Sequence, residues 1–81
     1  MRYSYDMARK FTAVIQFDQE SGSYVGFVPA LPGTQSCADT LEELRANLRE
    51  AIELMLEVMA ESGEEPGADT EIIVEPIEIP A

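Results

Sequence analysis

DTLEELRANLREAIELMLEVMA, residues 39–60, is the stretch whose reading decides the fold. Leu41, Leu44, Leu48, Ala51, Ile52, Met55, Leu56 and Met59 recur at steps of three and four. At about 100° per residue they form one continuous stripe on a helix. Glu42, Glu43, Glu50, Glu53, Glu57 and Glu61 fall on the opposite side, so one face must be buried and the other must stay in water. The start of the helix is also encoded. Asp39 or Thr40 can cap it, and Thr40-x-x-Glu43 is a capping box, in which the hydroxyl accepts from the Glu43 amide while the Glu43 carboxylate reaches back. Glu42 and Glu43 favour the positive end of the helix dipole. Such a cap contributes about 1 kcal/mol. Gly63 suits the left-handed position that stops a helix. Roughly 22 residues rising 1.5 Å each give a rod of about 33 Å, enough to span a small domain.

The stripe needs a partner surface, and the segments on either side read as strands. Residues 10–17 alternate, with Phe11, Ala13, Ile15 and Phe17 projecting one way and Thr12, Val14 and Gln16 the other. Residues 18–22 are polar and end in Gly22, as a hairpin loop does. Residues 23–28 place Tyr24, Gly26 and Val28 on one face and Val25 and Phe27 on the other. A glycine inside a strand predicts a bulge or the close approach of another backbone. Pro29 removes a ladder donor, and Pro32-Gly33 fits the centre of a type II turn. Residues 34–37 suffice for a short third strand. After the helix, Gly63, Pro66 and Gly67 mark a loop, and Ile72-Ile73-Val74 predicts a last strand. Pro76 and Pro80 confine Ile77-Glu78-Ile79 to an edge or an extended tail. Residues 1–9 carry Tyr3 and Tyr5 with little pattern and read as a leader or a strand extension.

The predicted order is strand, strand, short strand, long helix, strand. That is an α+β domain with one long helix packed on a small, mostly antiparallel sheet. The 81-residue chain is read as a single domain, with its core at about residues 10–76 and a tail at 77–81. Truncating Ile52 to alanine is expected to cost about 2–5 kcal/mol if it is central to that core. A domain of this size buries only about 60% of its unfolded surface, which makes self-association useful to it.

Composition excludes several functions. The formal net charge is −11, from 16 acidic and 5 basic residues. Such a surface repels nucleic acid and attracts basic proteins. Histidine is absent, which removes the commonest general base and metal ligand. The carboxylates are spread along a solvent face rather than converging, so neither a catalytic residue nor a metal site is assigned, and no cofactor is implied. No stretch approaches 18 consecutive apolar residues, and no apolar signal core opens the chain. With the single Cys37, these features predict a cytoplasmic protein that does not span a membrane. Nothing basic lies near Cys37 in sequence, and it reads as a small, partly buried residue.

Four blocks in order carry a family resemblance: Gly22-x-Tyr24-Val25, then Val28-Pro29-Ala30-Leu31-Pro32-Gly33, Asp39-Thr40-Leu41-Glu42-Glu43, and Asn47-Leu48-x-Glu50-Ala51-Ile52-Glu53. Together they resemble the HicB-type antitoxins of bacterial and archaeal toxin–antitoxin pairs, over roughly residues 11–56. The chain departs from that pattern at Ala38, where a glycine often stands, and at Leu44, where alanine is usual. The resemblance implies a β-β-β-α-β domain of partial RNase H-like fold and a non-enzymatic binding function. Such antitoxins bind a small RNA-cleaving toxin, HicA, and block its active site. Many carry a further DNA-binding domain, which is not expected after Ala81, so no direct contact with nucleic acid is carried over.

The leading expectation is therefore an antitoxin-like protein that masks a small basic HicA-type toxin and self-associates into a homo-oligomer. Candidate partner-binding residues are Leu31, in the turn after the second strand, and Glu42, Glu43, Glu50, Glu53 and Glu57 on the helix. Each also has a structural explanation. An apolar turn residue commonly covers the end of a core, and an acidic run is usually a solvated face. Tyr3, Tyr5 and the Ile77–Ile79 region are candidate subunit contacts. The alternative is an orphan structural or assembly module with no toxin, whose oligomer is the functional unit. A metal-dependent nuclease remnant is disfavoured, because that chemistry needs converging carboxylates.

Overall fold

A computed structural model describes residues 9–80. Tyr3 and Tyr5 lie outside the described residues. Strand β1 (Val14–Asp18), β2 (Ser23–Phe27) and β3 (Gln35–Ala38) precede one helix, α1 (Leu41–Glu61). The strands form an antiparallel sheet in the order β1-β2-β3, with Ile15 opposite Gly26, Phe17 opposite Tyr24, and Gly26 opposite Ser36. The fold is thus α+β, with one long helix on a three-stranded sheet.

Strand β1 begins at Val14 rather than at residue 10, and the reason is a competing partner. The Thr12 amide donates to Asp69 Oδ1 at 2.8 Å instead of joining the ladder. Phe11 and Ala13 still pack against the core. The hairpin loop forms as its residues dictate. Gly22 adopts φ 73° and donates to the Asp18 carbonyl at 2.8 Å, while Asp18 also accepts from the Ser21 hydroxyl at 3.0 Å.

The helix has the predicted termini. Thr40 is extended at φ −131°, and its hydroxyl accepts from the Glu43 amide at 3.1 Å. The reciprocal bond of the capping box is not formed. Ser62 is the C-cap and Gly63 follows at φ 78°. The Gly63 amide donates to Ala60 at 3.1 Å and the Glu64 amide to Met59 at 2.8 Å, the paired bonds of a Schellman stop.

Val28, Leu31, Leu44 and Leu48 form the core, with Phe11, Ile52, Met55, Leu56 and Met59 packed partly buried around them. Ile52 therefore lies at the margin of the core and not at its centre. Leu44, 0% exposed, holds the centre. Gly26 is buried beneath the helix. A Cβ there would lie 3.0 Å from Leu48 Cδ1 and 3.3 Å from Leu44 Cδ2. The close approach predicted at this glycine is made by helix side chains, not by another backbone, and the register runs through it without a bulge.

Residues 28–34 form a closed loop. The Leu31 amide donates to Val28, the Thr34 amide to Leu31, and the Val28 amide to Thr34, each at 3.0 Å, with Gly33 at φ 90° as the type II turn requires. The Thr34 hydroxyl is buried and has no hydrogen-bond partner among the described residues.

The predicted last strand does not form. Residues 64–80 have no regular secondary structure, and Ile73, Val74, Ile77 and Ile79 are 75–85% exposed. The radius of gyration, 15.5 Å, exceeds the roughly 12 Å of a compact domain this size. Residues 70–79 have the composition of a strand, but a strand also needs an edge to pair with, and among the described residues this segment pairs with none.

Candidate protein-binding surfaces

Three surfaces are available to a partner. The first is the outer side of α1. Glu42, Glu43, Glu50, Glu53 and Glu57 are all exposed there, as the helical period requires. The last turn carries no basic residue, and Glu61 sits at the negative end of the dipole, an arrangement that costs a few tenths of a kcal/mol. Leu54 and Val58, one turn apart, are 58% and 56% exposed beside Glu50, Glu57 and Glu61. Periodicity passed over this pair because it lies just outside the buried stripe. An apolar pair rimmed by charge has the anatomy of a small protein contact. Leu31 does not join this surface. It is 2% exposed in the core, so the packing role weighed for it accounts for its position.

The second surface is the sheet face turned away from the helix. Val14 stands opposite Phe27, and Val25 opposite Cys37. Phe27 is 45% exposed, and Cys37 is exposed rather than partly buried as its size suggested, because β3 directs it outward at the sheet edge.

The third is an open groove of about 790 Å³ between the outer side of β1 and the helix. Phe11, Ile15, Ile52 and Leu56 contribute apolar surface, and Arg9, Lys10, Arg45 and Arg49 line it. The two basic pairs are far apart in sequence, so no local pattern announces them. The groove ends at a clamp. Asp69 accepts from the Thr12 hydroxyl at 2.6 Å and from the Thr12 and Thr70 amides at 2.8 and 2.9 Å, while Arg9 donates to the Gly67 carbonyl at 3.2 Å.

The Thr12 hydroxyl, then the Thr12 amide, hold the Asp69 carboxyl below the usual carboxylate range, opposed by desolvation and helped by the Thr70 amide. A lowered folded-state value means that the clamp stabilises the fold above the ordinary carboxylate range. That contribution fades as pH falls through the lowered value. Amide exchange at Thr12 and Thr70 is expected to accelerate selectively in that acidic window. In Asp69→Asn it should be fast already at neutral pH, and equal exchange in both proteins would show that the carboxylate holds nothing.

Among the described residues, no group of three His, Cys, Asp or Glu side chains is placed to hold a metal ion. No helix among them is long and apolar enough to cross a membrane. The geometry offers surfaces for macromolecular contact.

Comparison with known proteins bears on the fold and the family. A family model described as the HicB-like antitoxin of bacterial toxin–antitoxin systems matches residues 11–77. A UPF0150 protein of Thermotoga maritima is 44% identical over 69 residues, covering 85% of this chain and 88% of its own. One from Archaeoglobus fulgidus is 53% identical over 49 residues, covering 60% and 70%. Among solved structures, the N-terminal domain of the Burkholderia pseudomallei antitoxin HicB is similar with a TM-score of 0.61 and 30% identity, over 82% of this chain and 72% of that one. A protein from Thermus thermophilus is similar at 0.61 and 32%, over 82% of each chain.

Proposed function

The chain belongs to the HicB-like antitoxin family, and on that premise we propose that it neutralises a small basic HicA-type RNA-cleaving toxin by masking the toxin's active surface. Family membership supports an antitoxin role, a toxin partner in general, and a non-catalytic protein. The finer reading rests on one observation: the exposed carboxylates of α1 flank the exposed Leu54 and Val58. A protein that cleaves RNA must hold phosphates, so its working surface is basic. The acidic helix face competes with RNA for that surface, and the apolar pair supplies a contact that charge alone does not. A total charge of −11 steers the encounter over a longer range.

The test is protection of RNA from a small basic toxin encoded beside this protein's gene. A stoichiometric amount of the protein is expected to stop cleavage. Glu50→Lys combined with Glu57→Lys is expected to slow association by about tenfold or more at low salt and to flatten its salt dependence. No protection at a stoichiometric excess would sink the reading for that toxin. Full protection by the charge-reversed variant would move the contact to another surface.

The alternative, an assembly module that works as an oligomer, draws on a different observation, the exposed apolar tail after Asp69.

A further inference from the structure

The groove beside β1 and the segment after Asp69 are complementary in shape class and in charge. Four of the five basic residues in the whole chain, Arg9, Lys10, Arg45 and Arg49, line the groove. Its acidic residues are Glu53, one turn from Arg49, and Asp69, whose carboxylate is occupied by Thr12. Residues 70–80 carry Glu71, Glu75 and Glu78 and no basic residue, interleaved with Ile73, Val74, Ile77 and Ile79 at 75–85% exposure. So much exposed aliphatic surface on one short segment signals a missing partner. The groove displays the matching lack: an apolar floor, and on β1 a sheet edge with no neighbour on its outer side among the described residues. Unpaired edges invite strand addition.

Both halves belong to the same chain, yet they do not meet within it. The Asp69 clamp fixes the start of the tail at the groove's rim, and from there the tail runs outward while the groove stays open. We infer that two copies of the chain exchange these tails, residues 70–79 of each lying in the groove of the other beside its β1. The contact is isologous, so one two-fold axis closes both grooves and both edges at once. Each tail brings its glutamates to the partner's arginines and its isoleucines to the partner's apolar floor. Pro76 and Pro80 suit an added edge strand, which keeps one side unpaired. The exchange also accounts for a strand-like sequence with no strand in the single chain.

The test is a charge swap in the full chain. Arg45→Glu with Arg49→Glu makes the groove acidic, and Glu75→Arg with Glu78→Arg makes the tail basic. Sedimentation velocity over a concentration series reads the assembly, and far-UV circular dichroism checks that each variant folds. The unaltered chain is expected to dimerise. Either double variant alone should raise the dimer dissociation constant by about tenfold or more, since two reversed pairs recur at each of two grooves. An equimolar mixture of the two should restore the dimer, because each tail then meets an opposite groove. A chain carrying all four substitutions should dimerise with itself. A monomeric unaltered chain, a dimer indifferent to both swaps, or losses that mixing does not restore would overturn the exchange. Rescue of thermal stability in the four-substitution chain without dimerisation would show instead that each tail folds onto its own groove. None of these readings requires a toxin, so this inference and the proposed function stand or fall separately.

Discussion

Leu44→Ala is expected to lower unfolding free energy by about 2–5 kcal/mol, the range for a leucine truncated in a closed core. Leu44 is 0% exposed and touches the buried centre where helix meets sheet. A small domain has little stability to spare, since whole proteins are held by only about 5–15 kcal/mol. Each kcal/mol corresponds to about 4–8 °C in Tm at this chain length, so a fall of more than about 10 °C should be seen by thermal melting. In this chain the residue directly beneath is Gly26, and the leucine fills what that glycine leaves open. Ile52→Ala is the control. Ile52 is only partly buried, and its loss should cost clearly less. The melts must be compared at equal protein concentration, because self-association adds to apparent stability. Equal costs at Leu44 and Ile52 would mean that the core lies elsewhere along the helix.

What sequence reading recovered and what it missed divide along one physical line. Local rules succeeded. The Thr40 hydroxyl caps α1, Gly63 ends it in the left-handed region, and Gly33 completes the turn with Pro32, because each outcome depends on residues a few positions apart. Alternation placed Tyr24, Gly26 and Val28 on the core face, because one buried face fixes the register. The failures concern partners distant in sequence. The Thr12 amide is taken by Asp69, so β1 starts late. Ile72-Ile73-Val74 satisfies every local condition for a strand and still pairs with no edge among the described residues. Arg9, Lys10, Arg45 and Arg49 converge only after folding. On the candidate site, periodicity placed the helix carboxylates in solvent but overlooked Leu54 and Val58, which lie just outside the buried stripe.

Gly26→Val is the second large effect expected, and its cause is the opposite of a cavity. The Cβ alone would approach Leu48 Cδ1 to 3.0 Å and both Leu44 Cδ2 and Ile15 Cγ1 to 3.3 Å. One such contact at the free end of a side chain is cheap to relieve. Three at once are not, because Leu44 and Leu48 are themselves fixed by the core around them. Valine adds two methyl groups to a site already full, and overpacking of this kind costs about 1–3 kcal/mol. The β-branched residue favours the strand conformation, so backbone preference offsets a little of the loss. The interpretation has a sharper test than the single variant. If the clash is with the helix, shortening the opposing side chain should relieve it. Gly26→Val with Leu48→Ala is then expected to be more stable than the sum of the two separate losses predicts, with a coupling of about 0.5–3 kcal/mol in urea unfolding. Additive losses would mean that Gly26 is required by its backbone and not by the leucines above it. Because Leu48 also lines the groove, the same pair of substitutions connects the sheet's closest contact to the surface where the second copy's tail is placed. An intact dimer in the compensated variant would show that the groove tolerates repacking beneath its floor so long as its arginines remain in position.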